Sequence, residues 1–382
     1  MRVLMASKAL VSAAYHAKLR DIAAEPGVER LTVVVPPAWQ EPGGRLLRLE
    51  RSDAIEGAYD LRVEPIRFNG SFHLFYWPTL GRIINEVRPD VVHVDEEPYN
   101  WATALAAWQA RGAGSAVVFF TWQNLVRRYP PPFRWMEQSV FRQAQHAIVG
   151  NAEAGGVLRQ KGYAGPISEI PQFGVDPARF VPAEALRHTE VPIIGYVARL
   201  VEEKGVFVLI AAMERLQDLA WRLLVVGTGP AEAQARAAIA AAGLDERVTW
   251  QASVPSEEMP YTLKQLDLLV LPSLTRPHWK EQFGRVLVEA MACGVPVVGS
   301  TSGEIPNVIG NAGTVVPEGD PDALAAGLRP LLVDPRRRQQ LGARGRERVI
   351  ERFTSASVAR RTVAAYAAAF EAAQQHGLPR GA

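Results

Sequence analysis

Two glutamates, Glu281 and Glu289, close the run Glu281-Gln282-Phe283-Gly284-Arg285-Val286-Leu287-Val288-Glu289, and here residue types and spacing together allow chemistry. Gly284 falls at an expected helix start, where a missing side chain lets backbone amides and the positive end of the helix dipole approach an anion. A phosphate is the natural guest. Glu281, in the loop ahead of that helix, can accept hydrogen bonds from hydroxyls on one side of the phosphate, and Glu289, two turns along, from hydroxyls on the other. Sugar, diphosphate and ribose follow one another in that order. The plainer alternative is chance spacing, with Arg285 and Glu289 forming an i,i+4 surface pair worth about 0.3 kcal/mol.

A second constellation precedes this one. Arg199 and, five positions on, Lys204 follow the apolar run ending at Val197, so both cations emerge from the carboxyl end of a strand. Each charge-assisted hydrogen bond to a diphosphate contributes about 1.5–3 kcal/mol. Arginine offers a planar fork and lysine a flexible point charge, which makes them complementary in this role. Glu202 and Glu203 leave open a solvated loop whose charges cancel. Gly227-Thr228-Gly229-Pro230 is a turn after another apolar run, a use glycines have in many loops. Pro272–Lys280 brings His278 and Trp279 toward Glu281, either to line a sugar or as exposed loop packing.

The first half of the chain carries looser signals. Pro89–Asn100 reads as a strand ending in the acids Asp95, Glu96 and Glu97, and there Asp95 and Glu96 either bind acceptor hydroxyls or form a solvated turn. Phe119–Asn124 ends another strand with Trp122 as a stacking face and Gln123 and Asn124 as donors and acceptors suited to sugar hydroxyls. Lys8 is expected on the surface unless it points at a cleft. Arg127–Trp135 interleaves cations with aromatics, a pattern that suits an anionic membrane surface as well as ordinary loop packing.

The elements that must hold these residues are short apolar runs separated by Ala/Leu/Arg segments of helical spacing. The runs are Val3–Ala6, Leu31–Val35, Val91–Val94, Ala116–Thr121, Ala147–Gly150 and Ile167–Ile170, then Ile193–Val197, Leu223–Val226, Val248–Gln251, Leu268–Leu271, Val295–Gly299 and Thr314–Val316. Near-continuous apolar strands alternating with helices predict parallel sheets covered on both faces. Two such series predict an α/β chain of two Rossmann-like domains, 1–185 and 190–353, with the boundary in Val181–Val191. A helix is expected from Thr354 to about Gln374, and His376–Ala382 reads as a frayed end. Ligands of such sheets bind beyond the carboxyl ends of the strands, which makes the cleft between two facing sheets the expected active site.

Composition narrows the function classes. A chain of 382 residues with 48% hydrophobic and 21% charged residues is globular and suits two domains. A formal charge of +2 is too near neutral for a general nucleic-acid binder. Cys293 is the one cysteine, which excludes an internal disulfide framework, fits a reducing cytoplasm and reads as packing in a helix of small residues. Lys8 interrupts the apolar stretch Met1–Ala14, so a first strand rather than a signal peptide is expected. No uncharged apolar run approaches a membrane span, and the expectation is a cytoplasmic protein, at most attached to the inner membrane face.

Taken with Phe283-Gly284 inside the paired glutamates, the small-residue helix Ala290–Cys293, the stop at Gly294 and the strand Val295–Val298, the chain resembles the family-four (group 1) retaining glycosyltransferases of the GT-B fold. The resemblance covers most of the chain, with its strong motifs in the second half. It implies transfer of a sugar from a nucleotide-diphosphate sugar to an acceptor hydroxyl, with a carbohydrate or lipid-linked acceptor and no resident metal or cofactor. It assigns Arg199 and Lys204 to the diphosphate, with Glu281 completing the catalytic set. Glu289, Phe283, Gly284, Arg285, Gly227, Gly229 and Val254 then belong to the nucleotide side, Val254 where the backbone meets the base. The final segment, 354–382, would cross back to the first domain. The chain departs from the family at Ala252 and Ser302, where glycines are usual, and at Ser7–Ser12, which lacks Gly-Gly. It also has His93-Val94-Asp95 in place of His-x-His, and no histidine in Phe119–Asn124, where Thr121 or Gln123 takes that space. The rivals are a sugar-nucleotide epimerase of the same architecture, a phosphorylase with a pyridoxal-bearing lysine, and a nucleotide-sugar-binding protein without turnover.

Overall fold

A computed structural model describes residues 1–41, 44–50, 57–183 and 191–375. The chain forms two compact units, one of Met1–Gly174 together with the chain from Ser355, the other Val175–Thr354. Most of the stretch Val181–Val191, and His376–Ala382, lie outside the described residues. The division falls ahead of that stretch, because Val175 already belongs to the second unit: its N–H donates to Phe353 O at 2.9 Å and it bridges to Thr354.

In the first unit the strands are β1 (Arg2–Ala6), β2 (Arg30–Val35), β3 (Ala38–Gln40), β4 (Leu46–Arg48), β5 (Asp60–Val63), β6 (Val91–Val94), β7 (Ala116–Thr121), β8 (His146–Val149) and β9 (Ile167–Glu169). Among the described residues they make a parallel sheet in the order β5-β2-β1-β6-β7-β8-β9, with β3 and β4 as a separate antiparallel pair. Side chains alternate across the sheet, which is why both faces need apolar residues. Leu4, Val92 and Phe119 face helices α2 (Leu80–Val87), α3 (Trp101–Gly112), α4 (Phe133–Gln143) and α5 (Ala152–Gln160). Val3, Met5 and Val118 face α1 (His16–Ala24) and the chain's last described helix, Ser355–Gln375, through its Val358, Ala359, Tyr366 and Ala369. β5 was not expected from the sequence. It is an edge strand in which Asp60 pairs with Arg30 and Arg62, so its polar residues are solvated and the apolar run is missing.

The second unit has β10 (Ile193–Val197), β11 (Arg222–Val226), β12 (Val248–Gln251), β13 (Leu268–Leu271), β14 (Val297–Ser300) and β15 (Thr314–Val316), all parallel, in the order β12-β11-β10-β13-β14-β15. Helices α6 (Val206–Glu214), α7 (Glu232–Ala241), α8 (Met259–Leu263), α9 (Arg285–Ala292), α10 (Ile305–Ile309), α11 (Pro321–Val333) and α12 (Pro335–Arg352) complete it. In each unit the strand order reverses beside the first strand, between β1 and β6 and between β10 and β13. Such switch points open a crevice at the strands' carboxyl ends. Among the described residues no helix is long and apolar enough to cross a membrane.

Candidate active site

The switch point of the second unit holds Lys204 and Glu281. Lys204 Nζ donates to Glu281 Oε2 at 2.6 Å, and Ser273 Oγ, just past β13, donates to the same oxygen at 2.8 Å. The Trp279 ring centroid lies 4.9 Å from Lys204 Nζ, so the ammonium rests between a carboxylate and an aromatic face. Glu281 is only 6% exposed, and its main chain is fixed by Glu304 N–H, which donates to Glu281 O at 3.0 Å. Three residues on, Gly284 takes φ +74° and ψ 54° as the N-cap of α9. Being glycine, it offers no capping side chain, and its missing Cβ makes way for Leu287 and Leu271, whose methyls such an atom would meet at 3.0 and 3.1 Å.

Glycines elsewhere let the surrounding loops touch. A Cβ on Gly227, whose φ is +141°, would stand 2.0 Å from Ala198 O, and one on Gly303 would stand 2.0 Å from Glu281 O. A Cβ on Gly229 would meet Leu200 O at 2.2 Å, where Leu200 N–H donates to Thr228 O at 3.0 Å. The Gly-x-Gly turn is therefore a backbone-to-backbone contact between the loops after β10 and β11, and it sets where Arg199 emerges. Arg199 itself is exposed.

Glu289 lies two turns into α9 and is not the surface partner an i,i+4 pair would make it. It is 6% exposed, with Arg285 Nε donating to Oε1 at 2.7 Å. Burial raises its pKa, against the lowering effect of Arg285 and Arg179. Phe283 turns into the core, its ring 5.7 Å from that of Phe353, where it supports the loop. Val254 is half-buried in the loop after edge strand β12, which Thr228 Oγ1 and Ser253 Oγ tie to the glycine turn at 3.3 Å. His278 is exposed. Cys293 is buried, which pushes its thiol up to about 12 and leaves it a packing residue. Ser273 and Arg179 were missed in the sequence. Ser273 had a signal, a hydroxyl at a strand's carboxyl end, whereas Arg179 had none.

In the first unit several candidates prove to be internal. Lys8 is not a surface lysine: its ammonium pairs with Glu96, whose Oε1 also accepts from Lys8 N at 2.8 Å and from Ser7 Oγ at 3.0 Å. The Trp39, Phe72 and Phe75 rings surround that ammonium at 5.3, 4.6 and 5.0 Å. Asp95 is 1% exposed and pairs at 3.4 Å with Lys18, a buried lysine of α1 that the sequence did not flag. Buried ions persist only when paired, which explains both arrangements. Gln123 is spent internally: Nε2 donates to Tyr129 Oη at 3.2 Å and Oε1 accepts from Lys161 Nζ at 3.0 Å. Asn124 is buried. Trp122 is half-buried, its Nε1 donating to Gln172 Oε1 at 3.0 Å, in space that Gly150 leaves for its ring. His93 is wholly buried, its Nδ1 2.7 Å from Tyr366 Oη, and burial lowers it to about 4. Among the described residues no group of three or more His, Cys, Asp or Glu could hold a metal ion.

Comparison with known proteins adds the family. Residues 179–348 match the model for "Glycosyl transferases group 1" and residues 30–179 that for "Glycosyltransferase Family 4". A GDP-mannose-dependent alpha-(1-6)-phosphatidylinositol monomannoside mannosyltransferase of Mycolicibacterium smegmatis is 34% identical over 196 residues, 47% of this chain and 51% of that protein. The chain thus spans about half the length of that relative. Among solved structures, sucrose-phosphate synthase from Thermosynechococcus elongatus superposes with a TM-score of 0.70 at 21% identity, covering 96% of this chain and 98% of that one. Anabaena HepE in complex with UDP gives 0.70 at 19% identity, covering 95% and 98%. These two share the fold, the two-unit GT-B architecture. With both family models matched in succession along its length, the chain belongs to the group 1, family 4 glycosyltransferases.

Proposed function

We propose that the protein transfers a hexosyl group from a nucleotide-diphosphate sugar to a hydroxyl of a carbohydrate or lipid-linked acceptor, retaining the anomeric configuration, in glycoconjugate synthesis. The observation that carries this reading is the Lys204–Glu281–Ser273 cluster at the switch point beside the Gly284 helix start. It gathers a cation, a hydroxyl-binding carboxylate and a helix N-terminus, the groups that a sugar diphosphate calls for. The names of the relatives support the donor class, GDP-mannose in one and UDP in the other.

In the reaction the bond from the sugar's C1 to the diphosphate oxygen breaks with its electron pair leaving on the diphosphate. The acceptor oxygen bonds to C1 and its proton passes to the departing diphosphate oxygen, which leaves as the nucleoside diphosphate. Arg199, Lys204 and the amides after Gly284 stabilise the charge that grows on the leaving group. Glu281 holds the sugar's hydroxyls and Glu289 the ribose, while the Gly227–Gly229 turn and Val254 border the base. Retention follows the family. Arg127, Arg128 and Trp135, the last 67% exposed, would rest on the anionic inner face of a membrane when the acceptor is lipid-linked.

The division of labour is testable by steady-state kinetics. Glu281→Ala is expected to act mainly on kcat and Glu289→Ala mainly on the donor KM; equal effects of both on KM alone would overturn the assignment.

A further inference from the structure

The turn after β6 has three acids, and the structure uses two of them internally. Asp95 pairs with Lys18 and Glu96 with Lys8. Glu97 is partly exposed and, among the described residues, has no cation at ion-pair distance. Its carboxylate is nonetheless held firmly: Oε1 accepts from Trp122 N at 2.9 Å and Oε2 accepts from the Thr121 hydroxyl, so it spans the ends of β6 and β7 next to the first unit's switch point. An ionised carboxylate has about four acceptor positions, and two of these remain.

Aromatic surface flanks it. The Tyr99 and Tyr129 rings lie 4.2 Å apart, tilted by 32°, both near enough to feel the Glu97 charge, and Phe72, 39% exposed, lies 6.3 Å from Tyr99. A rigid carboxylate beside aromatic faces matches a polyol ring, which presents hydroxyls at its edge and C–H groups on its face. We propose that Glu97 is a hydroxyl-binding carboxylate of the acceptor site, accepting a hydrogen bond from a sugar hydroxyl whose ring packs against the exposed Phe72. The inference rests on the transferase reading and names the acceptor-side residue that the paired acids Asp95 and Glu96 do not supply.

The position also gives it a pH signature. Burial pushes the Glu97 carboxyl up to about 7, against the Thr121 and Trp122 hydrogen bonds and the Lys8 charge, which lower it; the Glu96 charge raises it further. Tyr99 and Tyr129 face it with raised pKa values of their own, and Arg127 lies within their field. The hydroxyl-binding form is the carboxylate, so glycoside affinity should rise as pH rises through about 7.

The test uses the full chain and saturation-transfer NMR with methyl α- and β-hexopyranosides from pH 5.5 to 8.5, with UDP and GDP affinity measured in parallel. Wild type should bind at least one glycoside, more tightly at high pH, and Glu97→Gln should lose about tenfold in affinity together with the pH dependence. Thr121→Val removes a donor that lowers the Glu97 pKa, so its midpoint should move to higher pH, which a merely structural Glu97 would not produce. Equal glycoside binding and an unchanged pH profile in both variants would overturn the proposal, as would no glycoside binding by wild type. Loss of nucleoside diphosphate binding by wild type would count against the donor reading instead.

Discussion

Glu281→Gln keeps the side chain's shape and removes its charge, and its expected effect on nucleotide binding is a gain. Lys204 Nζ lies 2.6 Å from Glu281 Oε2. A phosphate oxygen on the far side of the same ammonium would stand about 5 Å from that carboxylate, where two like charges repel by about 3 kcal/mol at an effective dielectric constant of about 20. The lysine side chain keeps 21% of its exposure and the glutamate 8%, so solvent screens part of this. Halving the figure leaves about 1.5 kcal/mol, which is about tenfold in a dissociation constant. Calorimetry should therefore show UDP or GDP binding about tenfold more tightly to Glu281→Gln than to wild type, while turnover of the matching nucleotide-sugar falls. Without nucleotide, loss of the ammonium's partner costs about 1.5 kcal/mol and lowers the melting temperature by about 3–6 °C, and saturating nucleotide should restore it. A variant that melts lower yet binds the diphosphate no more tightly would refute the placement of Lys204 at the phosphates.

Two further outcomes follow from geometry elsewhere. Gly227→Ala forces a Cβ to 2.0 Å from a backbone oxygen at φ +141°, and should cost about 3 kcal/mol in urea unfolding together with nucleotide affinity. Gly156→Ala, on α5, meets nothing within 4 Å and should be neutral or stabilising by up to about 1 kcal/mol; similar losses in both would discredit the loop contact. His93 titrates near 4 when folded against 6.5 when free, so the folded state resists its protonation and stability is lost as pH falls from about 6.5 to 4, by up to about 3 kcal/mol. His93→Gln, which can still meet the Tyr366 hydroxyl, should flatten that part of the urea midpoint against pH; an unchanged slope would show that His93 does not carry it.

The second unit was the more legible half. Its inner strands β10, β11, β13 and β14 are buried almost throughout, so each appears in the sequence as an apolar run, and Glu281, Lys204 and Gly284 lie at loop positions that those runs dictate. What the sequence hid was pairing. Nothing local to Lys8 or Lys18 says that a carboxylate lies within reach, because Glu96 and Asp95 arrive from β6 some eighty residues on. Gln123 looks like a sugar-binding amide until Lys161 and Tyr129, from other segments, occupy it. β5 was hidden because an edge strand can solvate its charges, and the Gly227–Gly229 turn was ambiguous because its reason is a tertiary contact with Ala198 and Leu200.

The central claim is donor-dependent transfer. Incubating the protein with UDP-, GDP- and ADP-sugars and pools of carbohydrate and lipid-linked acceptors, with and without chelator, would test it by released nucleoside diphosphate and product mass. Release should require an acceptor, add one sugar to that acceptor's mass and survive chelation. Binding of a nucleotide-sugar without release, or conversion of the donor with no acceptor present, would contradict it.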